Sequence, residues 1–114
     1  MSMLLPAPDS HHFSAAIGWI ELGNPGEALQ ELNRISAEHR EHPAVLEAEW
    51  VICAEQKDWK RGLEVSQLIT RKAPNSPAGW LHQAYALRRV ENGSLEAAWD
   101  ALLPAYEKFP NEPT

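Results

Sequence analysis

The chain has 114 residues, of which 44% are hydrophobic and 23% charged, with a formal net charge of −6. That length supports one compact domain or one short stack of repeats but not two separate cores, and the composition is that of a folded chain. The acidic balance argues against nucleic acid or an anionic membrane surface as partner, and no run approaches the roughly 20 apolar residues of a membrane span.

The opening stretch MSMLLPAPDS lacks the basic segment and the apolar run of a signal peptide. The single cysteine, Cys53, allows no internal disulfide and points to a reducing compartment. A cytoplasmic location is therefore expected. Pro6 and Pro8 oppose helix, so residues 1–9 are expected as an extended tail. Its Met3, Leu4 and Leu5 either fray or pack on an apolar face of the same or a neighbouring chain. Asp9 or Ser10 is placed to cap the first helix by accepting a bond from its free amides.

Apolar periodicity then predicts helices in succession. The first covers residues 10–22, with Phe13, Ala16, Ile17, Trp19 and Ile20 at helical spacing. Gly23-Asn24 stops it, and Pro25 suits the first turn of a second helix over 25–38, where Ala28, Leu29, Leu32 and Ile35 share a face. Pro43 opens a third over 44–56. That helix is apolar around its circumference (Val45, Leu46, Ala48, Trp50, Val51, Ile52, Cys53), as expected for the middle of a stack. After Lys57-Asp58 a fourth runs over 59–72, with Leu63, Leu68 and Ile69 inward. The prolines of Ala73-Pro74-Asn75-Ser76-Pro77 end that unit. A fifth helix covers 78–90, with Trp80, Ala84, Tyr85 and Leu87. Asn92-Gly93 breaks the chain before a sixth, which begins at Ser94 and is expected to kink at Pro104.

The connections recur. Gly23-Asn24-Pro25-Gly26-Glu27-Ala28 is followed thirty-four residues on by Lys57-Asp58-Trp59-Lys60-Arg61-Gly62, and thirty-six further by Gly93-Ser94-Leu95-Glu96-Ala97-Ala98. A repeat of this length made of two helices and a turn resembles the tetratricopeptide repeat, with its pattern W-x2-L-G-x2-Y, then A-x3-F, then P over about 34 residues. The third unit carries it in Trp80, Gln83-Ala84, Leu87, Ala98-x3-Leu102 and Pro110. The second carries Leu46, Glu49-Trp50, Cys53, Gly62-x3-Ser66 and Pro74. The first carries His12, Ala15-Ala16, Trp19 and Ala28-x3-Leu32, with Arg40 where the closing proline belongs. The third unit also has two extra residues in its turn, around Glu91 to Gly93.

The resemblance implies an all-α fold: antiparallel helix pairs stacked as a right-handed α-solenoid of three repeats and six helices, spanning 10–113 (repeats 10–42, 43–76 and 77–113). It also implies small residues where the two helices of a repeat cross, namely Ala16 against Ala28 and Ala84 against Ala98. The middle repeat departs with Trp50, and its partner Gly62 makes room for the indole at a helix-propensity cost of up to ~1 kcal/mol. Carried over from the family, a concave peptide-binding groove would be lined by Phe13, Ile17 and Glu21, then Glu47, Val51, Ala54 and Glu55, then Leu81, Tyr85, Arg88 and Arg89. The alternative is that Phe13, Ile17 and Val51 are core and Arg88 and Arg89 a solvated face. Phe13, Ile17, Glu47 and Val51 replace the lysines and asparagines with which relatives hold chaperone C-terminal carboxylates. The groove is instead expected to take a segment with an apolar anchor and mixed charge.

No nucleophile triad, phosphate loop or carboxylate pair stands out, so neither an enzyme nor a cofactor is expected. His39 and His42, three apart near the end of the second helix, and His11-His12 lack further ligands at zinc spacing. They read as surface histidines at helix ends, and Cys53 as a buried, inert thiol. The expected role is a protein–protein interaction scaffold. The alternatives are a small acidic secretion-type chaperone, although such proteins are usually longer, or a self-assembling unit that pairs through Trp99, Leu103 and Tyr106 of the C-terminal repeat or through the N-terminal tail.

Overall fold

Five helices, α1 (Asp9–Glu21), α2 (Pro25–Leu32), α3 (Pro43–Gln56), α4 (Trp59–Lys72) and α5 (Ala78–Leu87), follow one another in the computed structural model, which describes residues 5–90 together with Trp99, Asp100, Leu103 and Glu107. The protein is all-α, with no strand among the described residues. Trp99, Asp100, Leu103 and Glu107 are helical. The rest of the expected sixth helix, with Ala98, Pro104 and Tyr106, lies outside the described residues, as do Met3, Leu4, the Asn92-Gly93 break and Pro110.

The turns joining α1 to α2 and α3 to α4 are the same structure. At the first, Gly23 N–H bonds the Ile20 carbonyl at 3.0 Å and Asn24 N–H reaches back to Trp19 at 2.8 Å. At the second, Lys57 N–H bonds Ala54 at 3.2 Å and Asp58 N–H bonds Cys53 at 2.9 Å. In each, a left-handed residue closes the helix so that its last carbonyls find donors. That residue is Gly23 at φ 79° and Lys57 at φ 57°. The next side chain then caps the following helix: Asn24 Oδ1 accepts from Glu27 N–H and Asp58 Oδ1 from Arg61 N–H, both at 3.2 Å.

The length was expected to allow only one core, but the buried side chains form two clusters, one per hairpin, because α3 stands as a wall between them. Ala16, Ala28, Leu32 and Ile35 of the first hairpin and its exit meet Val45, Ala48 and Ile52 on one side of α3. Leu46, Trp50 and Cys53, on its other side, meet Val65, Ile69 and Ala86. Seven residues of α3 are buried, which accounts for its apolar circumference. Ala16 and Ala28 are both completely buried where α1 and α2 pack together. In the second hairpin a Cβ on Gly62 would stand 3.1 Å from Trp50 Cζ3 and 3.5 Å from Cys53 Cβ, so the glycine does face the indole. The tightest approach falls elsewhere. A Cβ on Gly79 would lie 2.7 Å from the Thr70 amide nitrogen, so α4 and α5 meet almost backbone to backbone.

Three boundaries and several terminal roles differ from expectation. Asp9 belongs to α1 rather than to an extended tail, Pro8 precedes it, and no side chain caps that end. The Asp9 carboxylate instead accepts Ser36 N–H at 3.0 Å, Ser36 Oγ–H at 2.6 Å and His39 Nδ1–H at 2.8 Å. These three donors hold its pKa down at about 2. The same contacts explain why α2 ends at Leu32 and not Glu38. Its exit tightens through Arg34 N–H to Glu31 and Ile35 N–H to Leu32, and the next amide, Ser36, is taken by Asp9. His39 therefore lies beyond the helix, against Asp9, and His42 caps α3 by accepting Ala44 N–H at 3.1 Å. Leu5 packs on the first core. At the far end, α5 stops at Leu87: the Arg89 amide bonds Ala86, three residues back, at 2.9 Å, while Arg89 Nη1 donates to the Tyr85 carbonyl at 3.0 Å.

Glu49 is a buried carboxylate that must be paired to be tolerated. Arg61 Nε donates to it at 2.8 Å and Arg40 Nη1 lies 3.0 Å from its other oxygen, which ties the α2–α3 link and α4 to α3. The pairing with Glu49, and then with Glu64, raises the pKa of Arg61 further.

Candidate functional site

Trp50 is the base of an aromatic group that joins three helices. His82 of α5 stacks on it at 4.5 Å between centroids with planes 20° apart, and Tyr85 meets it edge-on at 6.1 Å. Trp59, the first residue of α4, lies 6.3 Å from Trp50 and 5.6 Å from Tyr85. Such contacts each contribute about 0.5–1.5 kcal/mol beyond burial. His82 Nε2 lies 2.9 Å from Glu47 Oε2, and because a carboxylate only accepts, the proton of that bond sits on the imidazole.

Arg89 covers the group from outside. Its guanidinium carbon lies 3.5 Å from the Tyr85 ring centroid and 5.4 Å from that of Trp59. Stacking fixes the plane of the fork, and only Nη1 is committed to the Tyr85 carbonyl. Beside it opens a cleft of about 670 Å³ lined by Lys57, Asp58, Trp59, Lys60, Leu63, Arg89 and Val90. The Asp58 carboxylate already caps α4. The cleft thus has an apolar floor of Trp59, Leu63 and Val90 and a cationic rim of Lys57, Lys60 and Arg89.

Among the residues expected to line a groove, Phe13 and Ile17 are partly buried against the first core. Ala54 and Leu81 are half-buried, and Glu21, Glu55 and Arg88 are exposed. Glu47 is bonded to His82. Val51 is 38% and Tyr85 48% exposed, two large apolar side chains on α3 and α5 open to solvent. The geometry brings Tyr85 and Arg89 together, and neither touches Phe13 or Ile17 through any stacking contact or hydrogen bond among the described residues. Sequence reasoning missed Lys57, Trp59, Lys60 and Leu63 as a group. The available signal was that a lysine and a tryptophan stand in a turn whose counterpart is Gly23-Asn24-Pro25.

Cys53 is buried, and desolvation together with the carboxylates of Glu49 and Asp58 pushes its thiol up to about 12, so it is protonated at neutral pH and a poor nucleophile. His12 Nδ1 lies 3.1 Å from Glu31, which also pairs with Arg34; His12 and Arg34 together hold the Glu31 carboxyl below its ordinary range. No group of three metal-binding side chains occurs among the described residues, and none of their helices is long and apolar enough to cross a membrane. No protein-family model, curated protein or solved structure matches the chain.

Proposed function

We propose that this chain is a non-enzymatic interaction module of the tetratricopeptide kind: three helix pairs stacked in a right-handed solenoid that binds a peptide segment of a partner protein. The observation that carries this reading is the pair of exposed apolar side chains, Val51 and Tyr85, presented by two helices that belong to successive units. Apolar side chains that form one contiguous patch mark a recognition face. The shared turn of the two hairpins and the thirty-four-residue spacing of Gly23 and Lys57 support the repeat reading. An acidic chain of this kind suits a cytoplasmic protein partner and neither nucleic acid nor membrane.

A display selection of random peptides against the full chain tests the proposal. Enriched peptides are expected to lose about tenfold or more in affinity when Tyr85→Ala is combined with Arg88→Glu. Peptides bound equally by both proteins would remove α5 from the recognition face. Self-assembly is the second reading, favoured by the exposure of Trp99 and Leu103. A strictly monomeric chain at high concentration in sedimentation equilibrium excludes it.

A further inference from the structure

We propose that the cleft between the α3–α4 turn and the end of α5 is a docking site for an acidic peptide segment with an apolar anchor. Trp59 and Leu63 receive the anchor, and Lys57, Lys60 and Arg89 receive its carboxylates. The inference deepens the interaction-module reading and rests on it.

Two independent observations carry it. The first is charge. On a chain of net charge −6, four cations among the described residues are paired (Arg34 with Glu31, Arg40 with Glu49, Arg61 with Glu49 and Glu64, Lys72 with Glu41), and of the five that are not, namely Lys57, Lys60, Arg71, Arg88 and Arg89, three gather at one place. Lys57, Lys60 and Arg89 have no carboxylate within 4 Å among the described residues, and all three line the same cleft. Arg89 is also pre-organised. Stacked on Tyr85 and Trp59 with one nitrogen anchored, it keeps an edge of N–H donors available, in the fixed planar geometry that suits a carboxylate. A group already held in place loses little freedom on binding.

The second observation is Lys57 itself. It occupies a left-handed position that its counterpart in the identical first turn gives to glycine. A side chain there is disfavoured by its Cβ, and nothing in the turn's hydrogen bonds requires one. The lysine adds its stem and ammonium group, and the residue lines the cleft. Strain kept at a position where a relaxed alternative is used by the same chain marks a functional position. The cleft, of about 670 Å³, is open to solvent, as an extended segment needs, and its lining includes the apolar Trp59, Leu63 and Val90.

The test is a random-peptide display selection on the full chain, with enriched peptides synthesised and titrated by tryptophan fluorescence at low and high salt. The expected pool has Asp or Glu flanking an aromatic or branched aliphatic residue, with binding that weakens as salt rises. The combined variant Lys57→Gly, Lys60→Glu, Arg89→Glu should bind at least about tenfold more weakly with an unchanged helical circular-dichroism spectrum. Should that variant fail to fold, Lys57→Gly alone, which relaxes the turn, is expected to weaken binding without loss of stability. Enriched peptides lacking acidic residues, or peptides bound equally by the variants, overturn the cleft assignment. If those peptides instead lose affinity on Tyr85→Ala with Val51→Ser, the module reading survives and the cleft alone falls. A selection with no enrichment overturns both, and a dimer abolished by the triple variant would make a second copy the occupant and overturn the proposal.

Discussion

The α1–α2 and α3–α4 hairpins turn on the same backbone and fill it differently. In the first, each special position holds the residue its geometry favours: glycine at positive φ, a capping Asn24, and two alanines, Ala16 and Ala28, completely buried where the helices cross. In the second, lysine holds the left-handed position, and Trp50 against Gly62 replaces the small pair. Its glutamate, Glu49, is buried at the place where the first hairpin has Ala15. The first hairpin is thus close to what stability alone would select. Two departures of the second lead to one region, because Trp50 supports Trp59, His82 and Tyr85 while Lys57 and Trp59 line the cleft. The two hairpins are therefore not interchangeable around Trp50 and Lys57.

Removing the large member of the large–small pair should do most damage. Trp50→Ala is expected to cost about 3–5 kcal/mol in denaturant unfolding, since it empties the second core and strips the support from Trp59 and Tyr85. Forcing both members to be large is next: Gly62→Leu should lose about 1–3 kcal/mol through overpacking on the indole. Gly62→Ala then provides the sharper comparison. It should destabilise the native chain but stabilise the Trp50→Ala variant by up to ~1 kcal/mol, because only helix propensity remains once the ring is gone. A change of the same sign in both backgrounds would show that the two positions are not coupled.

The first hairpin has its own dependence, on acid. Asp9 has a native pKa of about 2 against a reference of 3.8. Between those values the unfolded chain binds the proton that the native chain refuses, so lowering pH favours unfolding. The contribution of Asp9 should be whole well above pH 3.8 and fall away as pH drops through about 2, and Asp9→Asn should remove that part of the acid limb so that the two proteins converge below about pH 2. Parallel stability curves through this range would detach Asp9 from the Ser36 and His39 contacts. The smallest effect expected is a gain: Lys57→Gly should stabilise by about 0.5–1 kcal/mol, the relief of a left-handed side chain less the entropy returned to the unfolded state. Gly23→Lys in the matching turn should move stability the other way by a similar amount, and an unchanged melt in both would break the equivalence of the turns.

Much of this architecture was legible beforehand because its signals are local. The bounds of α3 and α4 follow from breakers and apolar spacing within one hairpin, and the facing of Trp50 and Gly62 was expected from the repeat resemblance. The site was legible in part. Tyr85 and Arg89 were expected on one helix face and do stack on each other, but their partner Trp59 was read only as packing between helices, because an indole at helical spacing carries no sign of a second role.

The sequence by itself therefore determined where helices form, where they stop for chemical reasons of their own, and which small residues face each other across a hairpin. Tertiary structure decided the rest. The end of α2 is set by Asp9, 27 residues away from Ser36, and the docking of α5 by Gly79 on Thr70 and by His82 on Glu47, 35 residues apart. The physical reason is one of range. Periodicity and capping act over one or two helical turns, whereas a carboxylate that takes another helix's amide, or a cleft assembled from one turn and the end of a distant helix, leaves no trace in the spacing of the residues that form it.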